Sequence, residues 1–186
     1  MLQAKNDGYQ VISLDEVIFS SRSIIKKEFS NQHTNICIDR NQTNIKCTAV
    51  IAAASEEKGL IHWKCFDKSV NVQKYMEFLQ ELTRKFYKKK IAIFCDNLSV
   101  HHNKGVKAYL QQKGVRLIFN CAYFPDGNMI ETLFSKVKRH FYRMKTNEIV
   151  NGGRTPTRAL IDRSFGIITR EECVKAAHHA LKCFEP

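Results

Sequence analysis

Two segments, Ile91-Ala92-Ile93-Phe94-Cys95-Asp96-Asn97 and Tyr123-Phe124-Pro125-Asp126-Gly127-Asn128-Met129-Ile130-Glu131, bound the stretch that organises the chain. The first is a short apolar run that stops at an acid, the pattern of a buried strand with a carboxylate at its end. The second is a turn-forming cluster that leads into an apolar-periodic run, with Asp126 or Asn128 as helix cap. Glu131 then falls in the first helical turn, beside the apolar stripe of Ile130, Leu133, Phe134, Val137 and Phe141. A carboxylate at a strand end and another near a helix start can converge. Paired carboxylates on rigid elements are what a magnesium site requires, because that ion takes hard oxygen ligands.

Between the two acids, the period of Val106, Tyr109 and Leu110 predicts a helix over 103–113, with Gly114 as its C-terminal cap and a strand over 115–119. Upstream, Tyr75, Phe78, Leu79, Leu82 and Phe86 recur at helical spacing over 70–86. Residues 46–54 and 59–66 form a hairpin of strands around a short polar connector. His62 and Trp63 read there as packing residues. Residues 20–45 are polar and read as irregular, with room for a small strand at 36–38.

Residues 9–19, YQVISLDEVIF, read as a buried strand with one acidic pair inside it, Asp15-Glu16. Side chains alternate along a strand, so the two acids face opposite ways. A charge in such a run must be paired, metal-bound or at a cleft; the alternative is an edge-strand acid in solvent. Downstream, 145–168 reads as loop-rich, with Asn151-Gly152-Gly153 and Pro156. A capping box at Thr169-Arg170-Glu171-Glu172 opens a C-terminal helix over 169–184, with Val174, Ala177, Leu181 and Phe184 inward and His178 and His179 at the surface.

Strands joined by short turns pair antiparallel, and strands separated by helices pair parallel. The expected architecture is therefore α/β, a mixed five-stranded sheet flanked by helices, in one domain over 1–186. It resembles the ribonuclease H-like fold.

With 30 Lys plus Arg against 18 Asp plus Glu, the net charge is +12, which points to a polyanionic partner, most simply nucleic acid. A basic surface kept for solubility is the alternative. The charge is clustered, at Arg84, Lys85, Lys88, Lys89 and Lys90, and again at Lys136, Lys138, Arg139, Arg143 and Lys145. No apolar run approaches the ~18–20 residues of a membrane span. The N-terminus lacks the apolar core of a secretory signal, and seven cysteines show no C-x-x-C pair. These features are read as an intracellular protein with reduced thiols and no membrane partner.

Three segments together resemble the catalytic domain of DDE transposases of the mariner type and their bacterial insertion-sequence relatives. Ile12-Ser13-Leu14-Asp15-Glu16 is similar to the strand with the first acid, and Asp96-Asn97-Leu98-Ser99-Val100-His101 to the family's D-N-x-x-x-H. Tyr123 to Glu131 is similar to Y-S-P-D-L-N-P-I-E, with Phe124 for Ser, Gly127 for Leu and Met129 for Pro. The 34 residues between Asp96 and Glu131 are the spacing of this branch. Ile168-Thr169-Arg170-Glu171-Glu172-Cys173 resembles the closing helix.

The resemblance implies that Asp15, Asp96 and Glu131 are the catalytic acids and hold two Mg2+ or Mn2+ ions for hydrolysis at transposon ends and strand transfer. Asn97, His101 and Asn128 support the site, although His101 reads equally as a helix-start polar residue. Lys88, Lys89, Lys90, Lys136, Lys138, Arg139 and Arg143 would grip DNA phosphates. Such enzymes carry N-terminal helix-turn-helix modules, and with the first acid at residue 15 none is expected here. A homodimer, or a complex with a separate DNA-recognition domain or chain, follows, in the nucleus of a eukaryote or the cytoplasm of a bacterium. The rival reading is a domesticated, non-catalytic DNA-binding or structural subunit of a nucleoprotein assembly.

Overall fold

Apolar side chains alternate to both sides of β1 (Gln10–Phe19), which suits it to the middle of a sheet. The computed structural model describes residues 1–20 and 46–184. In it β1 pairs antiparallel with β2 (Thr48–Ser55), which pairs antiparallel with β3 (Gly59–Asp67). On its other side β1 runs parallel to β4 (Ile91–Cys95), and β4 parallel to β5 (Arg116–Phe119). The order is β3-β2-β1-β4-β5, the mixed sheet expected. A three-residue turn suffices for the hairpin, whereas each parallel pair needs a crossover helix. The helix α1 (Leu2–Asn6), not expected from the sequence, precedes β1. α2 (Val72–Arg84) precedes β4, and α3 (Lys104–Gln112) joins β4 to β5.

The two faces of the sheet carry separate cores. Ile12, Leu14, Ile51 and Ile93 pack against Tyr75, Phe78, Leu79 and Leu82 of α2 and Val106 and Leu110 of α3. Val17, Phe19, Val50 and Ala52 pack against α4 (Met129–Val150), α5 (Thr157–Phe165) and α6 (Arg170–Lys182). β2, covered on both faces, reads as the near-continuous apolar run TAVIAAAS.

The structure departs from expectation in 145–168. α4 continues to Val150, and α5 occupies a stretch read as loop. The glycines and Pro156 break only the link between the helices. Glu148 closes that link by accepting hydrogen bonds from the Thr155 N–H (3.0 Å) and hydroxyl (2.7 Å). α5 is as long as α3, but it directly follows Asn151-Gly152-Gly153 and Pro156, whose turn chemistry makes the whole stretch read as loop. Its Phe165 ring stacks on Trp63 at 5.6 Å and meets Phe134 edge-on at 6.3 Å.

α6 keeps the capping box, but its buried face is Cys173, Ala176, Ala177 and Ala180. Small side chains let the helix lie close, so Val174, Leu181 and Phe184 move to its margin. The reading of 20–45, including the strand at 36–38, falls almost wholly outside the described residues. The six described cysteines, Cys47, Cys65, Cys95, Cys121, Cys173 and Cys183, are unbridged. No described helix is long and apolar enough to cross a membrane.

Phe165 joins β1, β3 and α4, so Phe165→Ala is expected to cost about 3–5 kcal/mol in urea unfolding. Val150→Ala, at a side chain 51% exposed, should stay within about 0.5 kcal/mol of the native chain.

Candidate active site

Parallel pairing brings the first two acids together. Ser13 lies opposite Phe94, so two residues further on Asp15 comes abreast of Asp96 at the carboxyl end of β4. Glu131 enters from the first turn of α4, whose start is capped by the Asn128 side chain. The three acids, with Asn97, Asn120, Asn128 and the loop 121–125, line one cavity of about 470 Å³. It lies outside the carboxyl ends of the strands, where open α/β sheets bind their ligands.

Asp15 is buried, and each of its oxygens is held. One accepts from the Glu16 N–H at 2.7 Å and the other from the Asn128 amide at 3.2 Å. Asn128 thus caps α4 and aims Asp15 with one side chain. Burial, the largest influence, pushes the Asp15 carboxyl up; the Glu16 N–H bond opposes it, the charges of Asp96, Glu131 and Glu16 add to the rise, and the carboxyl reaches about 8. Glu131 is also raised, by burial first; Lys138, two turns along α4, pulls it down and Asp96 pushes it up.

Asp96 behaves differently. Burial raises its carboxyl, but hydrogen bonds from His101 and from the Leu98 N–H at 3.1 Å leave it below its usual value. His101, wholly buried, places Nδ1 2.9 Å from Asp96 and Nε2 3.2 Å from Glu16. Burial disfavours charge on the ring, yet bonding to Asp96, Cys95 and Glu16 prevails and pushes it up to about 12. An imidazolium bridging two carboxylates is the result, with the Tyr75 ring 4.7 Å away.

Glu16, Asp96 and His101 also lie close enough to hold an ion, with one ligand atom from each within 4.8 Å. Of these three only Asp96 lines the cavity, and His101 ties it to Glu16 in an ion-pair cluster at the cavity's back. Glu16 does face away from Asp15, as alternation requires. Its second oxygen is buried without a partner among the described residues.

Of the supporting residues, Asn128 and Asn97 line the cavity and His101 does not. Asn97 donates its amide to the Asn120 carbonyl at 2.7 Å, tying the end of β4 to the end of β5. Asn120 in turn donates to the Phe124 carbonyl and accepts from the Cys121 N–H at 2.9 Å. Sequence reasoning missed Glu16 and Asn120. An acid next to Asp15, and an amide directly after a strand at the carboxyl edge, were the signals available.

The basic residues divide between two places. Lys138, Arg139 and Arg143 are on α4 with Glu131, and Lys136 is held by Glu172 of α6. Lys88, Lys89 and Lys90 precede β4, at the opposite end of that strand from Asp96.

Phe124 and Gly127 explain each other. A β-carbon on Gly127 would lie 2.8 Å from the Phe124 ring and 2.6 Å from Phe184. Phe124 meets Phe184 edge-on at 5.3 Å, filling the space into which a side chain at position 127 would project.

A family model described as DDE superfamily endonuclease matches residues 10–149. Among curated protein sequences no relative matches. The chain is similar in structure to a pre-cleavage Mos1 transpososome, at TM-score 0.67 and 16% identity over 98% of this chain and 57% of that one. It is similar to the catalytic domain of Mos1 mariner transposase, at TM-score 0.61 and 15% identity over 97% and 82%. A simian T-cell lymphotropic virus intasome gives TM-score 0.60 and 10% identity over 84% and 46%. At these identities the likeness is one of fold. The chain spans little more than half of the Mos1 transpososome chains it matches.

Gly127→Ala should destabilise the chain by about 1–3 kcal/mol by overpacking, and the part due to Phe124 should return in Gly127→Ala/Phe124→Ser while the Phe184 contact remains, as a double-mutant cycle of unfolding free energies reads. A second expectation concerns pH in the absence of divalent ions. The folded Asp15 carboxyl titrates near 8 and the unfolded one near 3.8. Between those values the folded chain keeps a proton that the unfolded chain has released. The stabilisation is full below about pH 4 and is lost as pH rises to about 8. Asp15→Asn lacks this titration, so its stability relative to the native chain should climb over that window and then level, as urea unfolding at stepped pH measures.

Proposed function

The chain belongs to the DDE superfamily endonucleases, and on that premise we propose that it is the catalytic domain of a mariner-type DNA transposase. One observation carries the reading. Asp15 shares one cavity with Asp96 and Glu131, and burial first, then the charges of Asp96, Glu131 and Glu16, raise it to about 8. Such a site has oxygen donors and surplus negative charge, the set that a hard divalent cation completes. Asp15, Asp96 and Glu131 would hold two Mg2+ or Mn2+ ions. Bound there, the ions supply a polarised attacking oxygen and charge neutralisation at the leaving oxygen. The Mos1 transposase catalytic domain has been solved with Mn and with Mg, which supports that choice.

The remaining work belongs to the chain. The Glu16 N–H and the Asn128 amide fix the direction of Asp15. The Leu98 N–H and His101 fix Asp96 from behind, so it keeps its charge beside two other acids. Asn97 and Asn120 brace the loop over the cavity. Lys138, Arg139 and Arg143 offer positive charge to DNA phosphates along α4.

In the reaction a water oxygen adds to the phosphorus of a phosphodiester at the transposon end. The bond to the 3′ oxygen breaks, and that oxygen leaves protonated as a 3′-hydroxyl. The freed 3′ oxygen then gives up its proton and bonds to a phosphorus of the target strand, whose own 3′ oxygen leaves protonated as a new 3′-hydroxyl. The Mos1 paired-end complex with its left transposon end and the Mos1 strand transfer complex support DNA as partner, and a homodimer is the working unit proposed. The work lies where the genome is, in a nucleus or a bacterial cytoplasm.

The test is Mg2+-dependent cleavage and strand transfer by the chain and by Asp96→Asn, with Mn2+ titrated by calorimetry. Partners outside the ligand shell already cost ~10–100-fold when removed, so loss of a ligand should cost at least about 100-fold. Equal activity in the two proteins sinks the assignment. DNA binding without any heat of divalent binding would leave a non-catalytic DNA-binding subunit in its place.

A further inference from the structure

A cavity of about 530 Å³ opens at the amino ends of β4 and β5, between the end of α2, the turn after it and the end of α3. Arg84, Lys88, Lys89 and Lys113 line it together with Tyr87 and Tyr109, and no carboxylate does so. None of the four cations is in an ion pair among the described residues. Three lysines elsewhere are held by acids, Lys64 by Glu77 and Glu81, Lys5 by Glu56 and Lys136 by Glu172; what sets this wall apart is that its unpaired cations converge on one cavity.

Helix ends account for part of this charge and not for all of it. α2 and α3 both end here, and each C-terminus carries the equivalent of about half a negative charge. Two halves against four cations leave a clear positive excess.

The backbone fixes where one of these cations stands. Lys88 has φ +58°, the left-handed region that favours glycine or asparagine, in a turn closed by the Lys89 N–H on the Phe86 carbonyl at 2.9 Å. A lysine held in that conformation keeps a cation at the cavity wall at a conformational cost of about 1–3 kcal/mol.

Aromatic rings interleave with the cations. The Lys88 ammonium lies 5.3 Å from the centre of the Tyr87 ring, which is 78% exposed, and Lys113 lies 5.8 Å from that of Tyr109. The Thr83 and Tyr109 hydroxyls meet at 2.8 Å and fasten α2 to α3 across the floor. Positive charge on a braced wall with an exposed ring suits a nucleic-acid backbone with bases beside it.

We propose that this cavity is a second DNA site, which takes the phosphate backbone of a segment other than the one at the acids. The inference rests on DNA being the substrate, as read above. The separate segment follows from β4 itself. Its first residue, Ile91, lines this cavity, and Asp96 follows its last, so the two cavities open at opposite ends of one strand. A straight duplex laid across one end of the sheet does not meet the other.

Fluorescence anisotropy in EDTA tests the proposal without the chemistry, using the full chain, a labelled 20-base-pair duplex of arbitrary sequence and its single strand over ~50–200 mM salt. In Lys88→Gln/Lys89→Gln/Lys113→Gln the slope of log K against log salt should shrink by about 2.7 on duplex or about 2.1 on single strand, at about 0.9 or 0.7 per phosphate contact. Tyr87→Ala weakening only the single strand assigns the site to unpaired DNA, and a triple-variant effect on the duplex assigns it to paired DNA.

The charge-matched control Lys68→Gln/Lys175→Gln/Lys182→Gln removes three exposed lysines elsewhere. An unchanged slope in the first triple variant, or an equal loss in the control, overturns the proposal. So does inorganic phosphate binding that the triple variant abolishes while its DNA binding stays native. An unchanged unfolding midpoint and native Mn2+ heats in the triple variant show that the fold and the acids are intact, which separates this result from any failure of the catalytic reading.

Discussion

Side-by-side parallel pairing of β1 with β4 sets two carboxylates abreast at one edge of the sheet, and the rest of the site manages the consequence. Like charges that close resist ionising together, and burial sharpens the conflict. The protein resolves it unequally. Asp96 receives His101 from behind and stays charged, whereas Asp15 receives two neutral donors and is raised to about 8. Strong pairing of one acid and weak pairing of the other leaves a site anionic enough to attract a cation and still foldable without one.

The two cores divide the same labour. The helices α2 and α3 carry the residues that back the site, Tyr75 beside His101 and the strand ends that follow α3. The helices α4 to α6 carry the third acid and its bracing. β1 belongs to both cores, and its alternating side chains send Asp15 to one and Glu16 to the other. A slip of one residue in the register of β1 would exchange the two acids and dismantle both the cavity and the ion-pair cluster.

Much of this was legible from residues. Strand alternation placed Asp15 and Glu16 on opposite faces, and the helix and strand between Asp96 and Glu131 forecast their return to one edge. The hairpin and the mixed sheet followed from connector lengths. Less legible was whatever depends on contacts between distant segments. His101 admitted two readings, a support of the site and a helix-start polar residue, and only its burial between Asp96 and Glu16, 85 residues earlier, shows what it touches. α5 is hidden behind the glycines and proline that precede it and is fixed by Trp63 from another strand. Phe124 and Gly127 each read as a departure from the family pattern; only their distance in space makes them one compensated change. The basic run before β4 was visible as charge, but not as the wall of a cavity remote from the acids.

Asn128 narrows the alphabet at its own position. Asparagine, aspartate and serine cap helices about equally well, so a helix start ordinarily tolerates exchange among them. Here the cap also donates an N–H to a carboxylate that already faces three others. Aspartate would cap α4 as well and add one more anion where it can least be borne; serine would cap it with a shorter arm. The amide alone offers an acceptor to the helix and a donor to the acid at that reach. A position that seems freely variable from the logic of helices is thereby closed by the electrostatics of its neighbour.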